Sequence, residues 1–180
     1  ALLGASAGLV VGAGAEPEYP NDPELVFLTL DEGLDRVFAG ADTVWAETWT
    51  PTPAENEAVE RSLGWRLEQD AFTFYRARQD GKPLGWAMVT EQIGHHRLIT
   101  FLIHVTPGQE VGAVEVMVYR ESRGGEIRRQ RFLRQYRGKD IDDHIRLNRD
   151  IVGISGATLS VRATNASVRR VLTLVAARYG

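Results

Sequence analysis

The sequence predicts an α+β domain: an antiparallel sheet of about four or more strands, packed with N-terminal and C-terminal helices. Three observations carry this. Residues 72–119 hold four β-rich runs in succession with turn residues between them. Two helix-start patterns precede that block. Behind it, apolar residues recur at spacings of three and four up to the end of the chain. With 180 residues, 43% of them hydrophobic, the chain can bury one sizeable core.

The stretch "ALLGASAGLVVGAGA" over 1–15 is apolar and small, and the chain turns polar at Glu16. Its length is short of the ~20 residues of a membrane span, and "AGA" suits cleavage after a signal peptide. The expectation is a signal-peptide remnant or membrane-anchor segment over 1–15. A proline-rich linker over 16–27 and one domain over 28–180 complete the division. Extracytoplasmic placement, periplasmic or at the cell surface, follows from the same expectation.

Thr29-Leu30-Asp31-Glu32 reads as a capping box, with Leu34, Val37 and Phe38 at helical spacing, so a helix is expected over about 30–39. "TPAE" at 52–55 is a second capping box with Pro53 at the first helical position. Val59, Leu63 and Trp65 give that helix its apolar face, and Gly64 a stop. Alternation on both sides of Asp80-Gly81 predicts a β-hairpin. "RLITFLIHV" and "VGAVEVMVY" predict two further strands joined through Pro107 and Gly108. A helix is expected over 128–137, and a last one after Thr158, where Val161, Val168, Val171, Leu172 and Val175 share a face.

The net charge of −3 hides an asymmetry. Residues 16–70 carry fourteen acidic and three basic side chains, and residues 71–180 carry ten and eighteen. The two parts attract each other, or the basic part meets an anionic ligand or surface. There is no cysteine, which excludes disulfides, thiolate metal sites, cysteine nucleophiles and C-x-x-C-H haem attachment.

Ser155-Gly156-Ala157-Thr158 interrupts an apolar run where the last helix opens. A helix N-terminus has N–H groups without intrahelical partners and a partial positive charge, so it receives anions well where small residues permit close approach. The plainer reading is that Ser155 or Thr158 is only an N-cap.

"ISGATLSVRA" resembles the flavinylation motif of the FMN-binding domain family. That family includes extracytoplasmic FMN subunits of the Rnf and sodium-pumping quinone reductase complexes, and exported single-domain carriers. The resemblance spans about residues 28–178. It takes in "FYRARQDGKPLGWA", "LITFLIHV", "VGAVEVMVYRESRGGEIRRQRFLRQYRGK" and "RDI". It implies FMN carried by Thr158 through a phosphoester, with Ser155, Gly156 and Ala157 around the phosphate. A separate flavin transferase using FAD and magnesium would install it, and an outside enzyme suits a threonine with no obvious base beside it. The family motif has Asp six residues before the threonine; here that position is Val152, with Asp150 two residues further upstream.

The resemblance also places the Gly-rich turn "ESRGG" near the flavin, giving Glu121, Ser122, Gly124 and Gly125 as candidate contacts. Arg123 joins them on chemical grounds, since a cation favours an anionic reduced ring. A plain β-turn with solvated charges is the alternative. Arg128, Arg129, Arg131, Arg134 and Arg137 form a basic face suited to solvent, an anionic membrane surface or an acidic redox partner. No nucleic-acid motif is present. Adjacent histidines His95-His96 on a strand would face opposite sides, so a metal site is not expected, though one could hydrogen-bond a ring. Trp86 reads as core, with flavin stacking as its alternative.

The resulting expectation is an electron-transfer flavoprotein rather than a stand-alone enzyme, exchanging electrons with a membrane redox partner or cytochrome. The alternative is a non-catalytic sensing or assembly module of the same fold without covalent flavin.

Overall fold

The structure is a computed structural model that describes residues 24–180. The expected segment 1–15, and the expected linker as far as residue 23, lie outside the described residues. The last of the expected linker residues take part in the sheet, because Leu25–Val26 forms strand β1 and pairs with Tyr119 and Val118.

The elements that follow are α1 (Leu30–Val37), β2 (Thr43–Trp49), α2 (Pro53–Leu63), β3 (Phe72–Gln79), β4 (Lys82–Ile93), β5 (Leu98–Val105), β6 (Val111–Tyr119), α3 (Gln130–Leu133) and α4 (Thr158–Tyr179). Six strands form one sheet in the order β1-β6-β5-β4-β3-β2, and every neighbouring pair is antiparallel. The α+β class is as the sequence predicts.

Both capping boxes form. Thr29 and Thr52 each accept the N–H of the glutamate three residues on, and each glutamate accepts the threonine N–H in return. Gly64 ends α2 in the left-handed region at φ +81°. Asp80 and Gly81 both have positive φ, as a two-residue hairpin turn of the I′ kind requires.

Strand β2 is absent from the sequence reading. Its half-covered side carries Trp45, Glu47 and Trp49, and Glu47 is held by Arg76 at 2.9 Å and Arg178 at 3.5 Å. An ion-paired glutamate in the middle of that face breaks the apolar alternation by which a strand is read. The helix expected over 128–137 is also corrected. Only Gln130–Leu133 is α-helical, between 3-10 turns at Gly125–Arg128 and Arg134–Tyr136. Phe132, Leu133 and Tyr136 are buried as expected, and the five arginines are exposed.

The sheet is covered on both faces. α1 covers one face with Leu34 and Phe38, against Ala77, Ala87, Leu102 and Met117. The other face packs against α2 and α4 through Phe74, Ile99, Phe101, Ile103 and Val105. Alternation along β5 thus serves two cores, Leu102 on one side and its neighbours on the other. Val161, Val168, Val171 and Leu174 bring α4 onto the sheet, all fully buried. Among the described residues, no helix is long and apolar enough to cross a membrane.

Leu174→Ala should destabilise the fold by roughly 2–5 kcal/mol, because the packed face cannot collapse around the missing atoms. Leu159→Ala, at an exposed position, should change stability by about 0.5 kcal/mol or less. Urea denaturation of both variants measures the contrast.

Candidate functional site

The site is built where α4 opens. Gly156 lies in the left-handed region at φ +78°, and the Ala157 N–H donates to the Ile154 carbonyl at 3.0 Å. This turn throws the chain into α4 at Thr158. The N-cap is Ala157 and no side chain caps the helix, so neither Ser155 nor Thr158 plays that part. The first-turn N–H groups are therefore left for another partner. Ser155, Gly156 and Thr158 are exposed while Ala157 is buried. A Cβ on Gly156 would meet no atom within 4 Å, so the space outside the turn is open. Among the described residues, no side chain hydrogen-bonds the Thr158 hydroxyl. A phosphoryl group on Thr158 fits this geometry: a free hydroxyl, open space, and uncapped amides beside it.

The Gly-rich turn packs against the same helix start. Gly124, at φ +86°, lies where a Cβ would stand 2.6 Å from Ser160 Oγ, 2.8 Å from the Tyr119 hydroxyl and 3.4 Å from Ala157 Cβ. Only glycine allows that approach. The Tyr119 hydroxyl donates to the Arg123 carbonyl. Having one proton, it then accepts from Ser160 Oγ at 3.0 Å. Burial first, with Glu121 and Glu126 adding to it, pushes the Tyr119 hydroxyl above its ordinary pKa, so it remains a donor. Gly125 is half-buried, and Ser122 and Arg123 are exposed.

Glu121 is buried, and its Oε1 accepts the backbone N–H of His95, of His96 at 2.7 Å and of Arg97 at 3.0 Å. One carboxylate oxygen thereby organises the β4–β5 turn. His95 and His96 lie in that turn, not on a strand, with ring centroids 3.6 Å apart in an edge-to-face arrangement. Among the described residues, no group of three metal-ligating side chains occurs. Trp86 stacks on Tyr179 with centroids 5.0 Å apart, at the far end of α4 from Thr158. Twenty-two helical residues put the two ends roughly 30 Å apart, which separates Trp86 from anything carried by Thr158.

Asp150 and Val152 sit in the loop leading to the turn. Asp150 accepts the N–H of Ile145 at 2.8 Å and of Arg146 at 2.7 Å, and pairs with Lys139 at 3.3 Å. Burial works to raise its pKa, but the two backbone hydrogen bonds and Lys139 outweigh it and hold the carboxyl below its usual range. Val152 is 74% exposed, and Gln135 clamps its backbone by accepting its N–H at 2.8 Å and donating to its carbonyl at 3.2 Å. Sequence reasoning missed Tyr119, Ser160 and Gln135 as the groups that position the turn and loop. Only Ser160, two residues past Thr158 in the motif, carried a signal that could have found it.

Residues 94–173 match the FMN-binding domain family. The match indicates FMN as the cofactor. The matched segment runs from the β4–β5 turn through β5, β6, the Gly-rich turn and most of α4. No curated protein matches the sequence. Among solved structures, a subunit of the Na(+)-translocating NADH-quinone reductase from Parabacteroides distasonis is similar at 16% identity and a TM-score of 0.47. The alignment covers 74% of this chain and 78% of that one.

Tyr119→Phe should weaken the tie between the Gly-rich turn and α4. The expected cost is about 1–2 kcal/mol in urea denaturation, with faster hydrogen exchange at amides 122–126; unchanged exchange would show that the hydroxyl does not hold the turn. Asp150 has a lowered folded-state pKa, so its stabilisation is present above its unfolded value near ~4 and is lost as pH falls through the lowered folded value. Asp150→Asn should remove that part of the acid-side slope in stability measured between about pH 5 and pH 2.

Proposed function

We propose that the protein is an exported or membrane-tethered FMN-binding electron-transfer protein whose flavin is attached by a phosphoester to Thr158. The single observation that carries this is the exposed, unpartnered Thr158 hydroxyl at an uncapped helix start, inside the segment that matches the family.

The residues divide the work. Thr158 supplies the hydroxyl, and the tether keeps the cofactor bound outside the cytoplasm. The first-turn amides, with Ser155, Gly156 and Ala157, would face the phosphate, where the helix N-terminus favours an anion by roughly 0.3–1 kcal/mol. The Gly-rich turn holds Ser122 and Arg123 at the surface beside that helix start. Bound FMN supplies one- and two-electron chemistry. With no side chain among the described residues placed to act as a base on Thr158, a flavin transferase is the source of the modification. A membrane reductase or cytochrome is the proposed redox partner, and the apolar segment 1–15 supports extracytoplasmic placement.

One observation favours a second reading, a non-catalytic sensing or assembly module of the same fold. The position where the resemblance expects Asp is the exposed Val152, and Asp150 is committed to Lys139 and its own loop.

Coexpression with a flavin transferase, followed by intact mass of the denatured protein, separates the readings. Wild type should gain one FMN unit and Thr158→Ala none. An unmodified wild type, under conditions that flavinylate a control substrate, overturns covalent attachment. Reversible bleaching of the flavin bands on redox titration should accompany the modified protein, and a module without flavin would show none.

A further inference from the structure

Thr158, Arg162, Asn165 and Arg169 follow the i, i+4, i+7, i+11 spacing of one helical stripe. Ala157 and Ser160, which meet the Gly-rich turn, lie on another. The stripe from Arg162 to Arg169 forms one wall of a cleft of about 340 Å³, and the loop over residues 145–148 forms the other.

The lining contains three guanidinium groups, from Arg146, Arg162 and Arg169, and no carboxylate. Among the described residues, no acidic side chain pairs with any of the three. Elsewhere the basic part of the chain meets acidic partners, as Arg120 does at Glu24 and Glu91.

Two of the lining side chains, Arg169 and Asn165, are also held in place. Arg169 donates to the Leu63 carbonyl at 3.2 Å and lies over the Trp65 ring at 5.1 Å. Burial, and after it the like charge of Arg146, holds its guanidinium below its ordinary pKa, so two cations are kept together against their repulsion. Asn165 is only 7% exposed. The Tyr136 hydroxyl donates to its Oδ1 at 2.6 Å, which leaves the two amide N–H donors for the cleft. On the facing loop, buried Ile145 has φ +46° and Asn148 φ +60°. A β-branched residue in the left-handed region is strained, and strain of this kind gathers at ligand clamps.

We infer that this cleft binds a free, phosphate-bearing small molecule with at least two negative charges, with Arg146 and Arg169 as its principal contacts. Guanidinium forks converging with an amide donor match the several acceptor oxygens of a phosphate or pyrophosphate. Arg169 lies eleven residues beyond Thr158, roughly 16 Å along the helix. A phosphoester on Thr158 would therefore lie at the Arg162 end and leave the Arg146–Arg169 end open. The inference does not depend on covalent attachment of flavin.

Titration calorimetry of the full chain with inorganic pyrophosphate, at low ionic strength and without metal, tests it. Saturable one-to-one binding is expected, weakened by about tenfold or more in Arg146→Gln and in Arg169→Gln. Arg146→Gln alters an exposed loop side chain without a partner, so it keeps the test independent of folding. Arg134→Gln, an exposed arginine outside the cleft, should bind as wild type does. Absence of saturable binding, or equal weakening by Arg134→Gln, overturns the site. Flavinylated protein should bind pyrophosphate as tightly as unmodified protein; loss of binding there would show that the cleft belongs to the tethered group and would overturn a separate ligand.

Discussion

The burial of one face of α4 against the sheet governs everything else in this structure. Val161, Val168, Val171 and Leu174 are fully buried, and each contributes about 1.5–3 kcal/mol by leaving water. Those contacts fix the helix in rotation as well as position. With the apolar stripe committed to Ile99, Phe101 and Ile103, the 3.6-residue period leaves Thr158, Arg162 and Arg169 on the open flank. The chemistry of the helix mouth and the cationic cleft are consequences of the same packing.

Polar groups then set the loops that hydrophobic burial leaves undetermined. Tyr119 and Ser160 tie the Gly-rich turn to α4, Glu121 gathers three amides of the β4–β5 turn, and Asp150 gathers two amides and Lys139. In each case a buried or half-buried polar side chain satisfies groups that the apolar core leaves unpaired, which makes its loss costly. Glu121 thus has a structural task whether or not its other oxygen meets a ligand. The acidic front and basic back of the chain are joined in part by such contacts, at Glu24–Arg120 and Glu47–Arg76. The arginines of the cleft take no part in that neutralisation.

Local signals in the sequence determined a large share of this fold. Capping boxes, the Asp80-Gly81 turn, the alternation of β3 to β6 and the apolar stripe of α4 depend on near neighbours in the chain, and they formed as read. The Ser155–Thr158 motif was legible for the same reason, since a turn into a helix is a local event. Tertiary structure decided what depends on distant residues. Strand β2 pairs with β3 along its whole length while Arg76 and Arg178 neutralise Glu47 on its half-covered face, and α3 keeps four residues between 3-10 turns that bury Ile127 and Tyr136. The placing of Gly124 on Ser160 and of Arg146 opposite Arg169 joins segments far apart in sequence. No periodicity in the chain encodes such a meeting; it arises only when burial of the shared core brings those surfaces to one place.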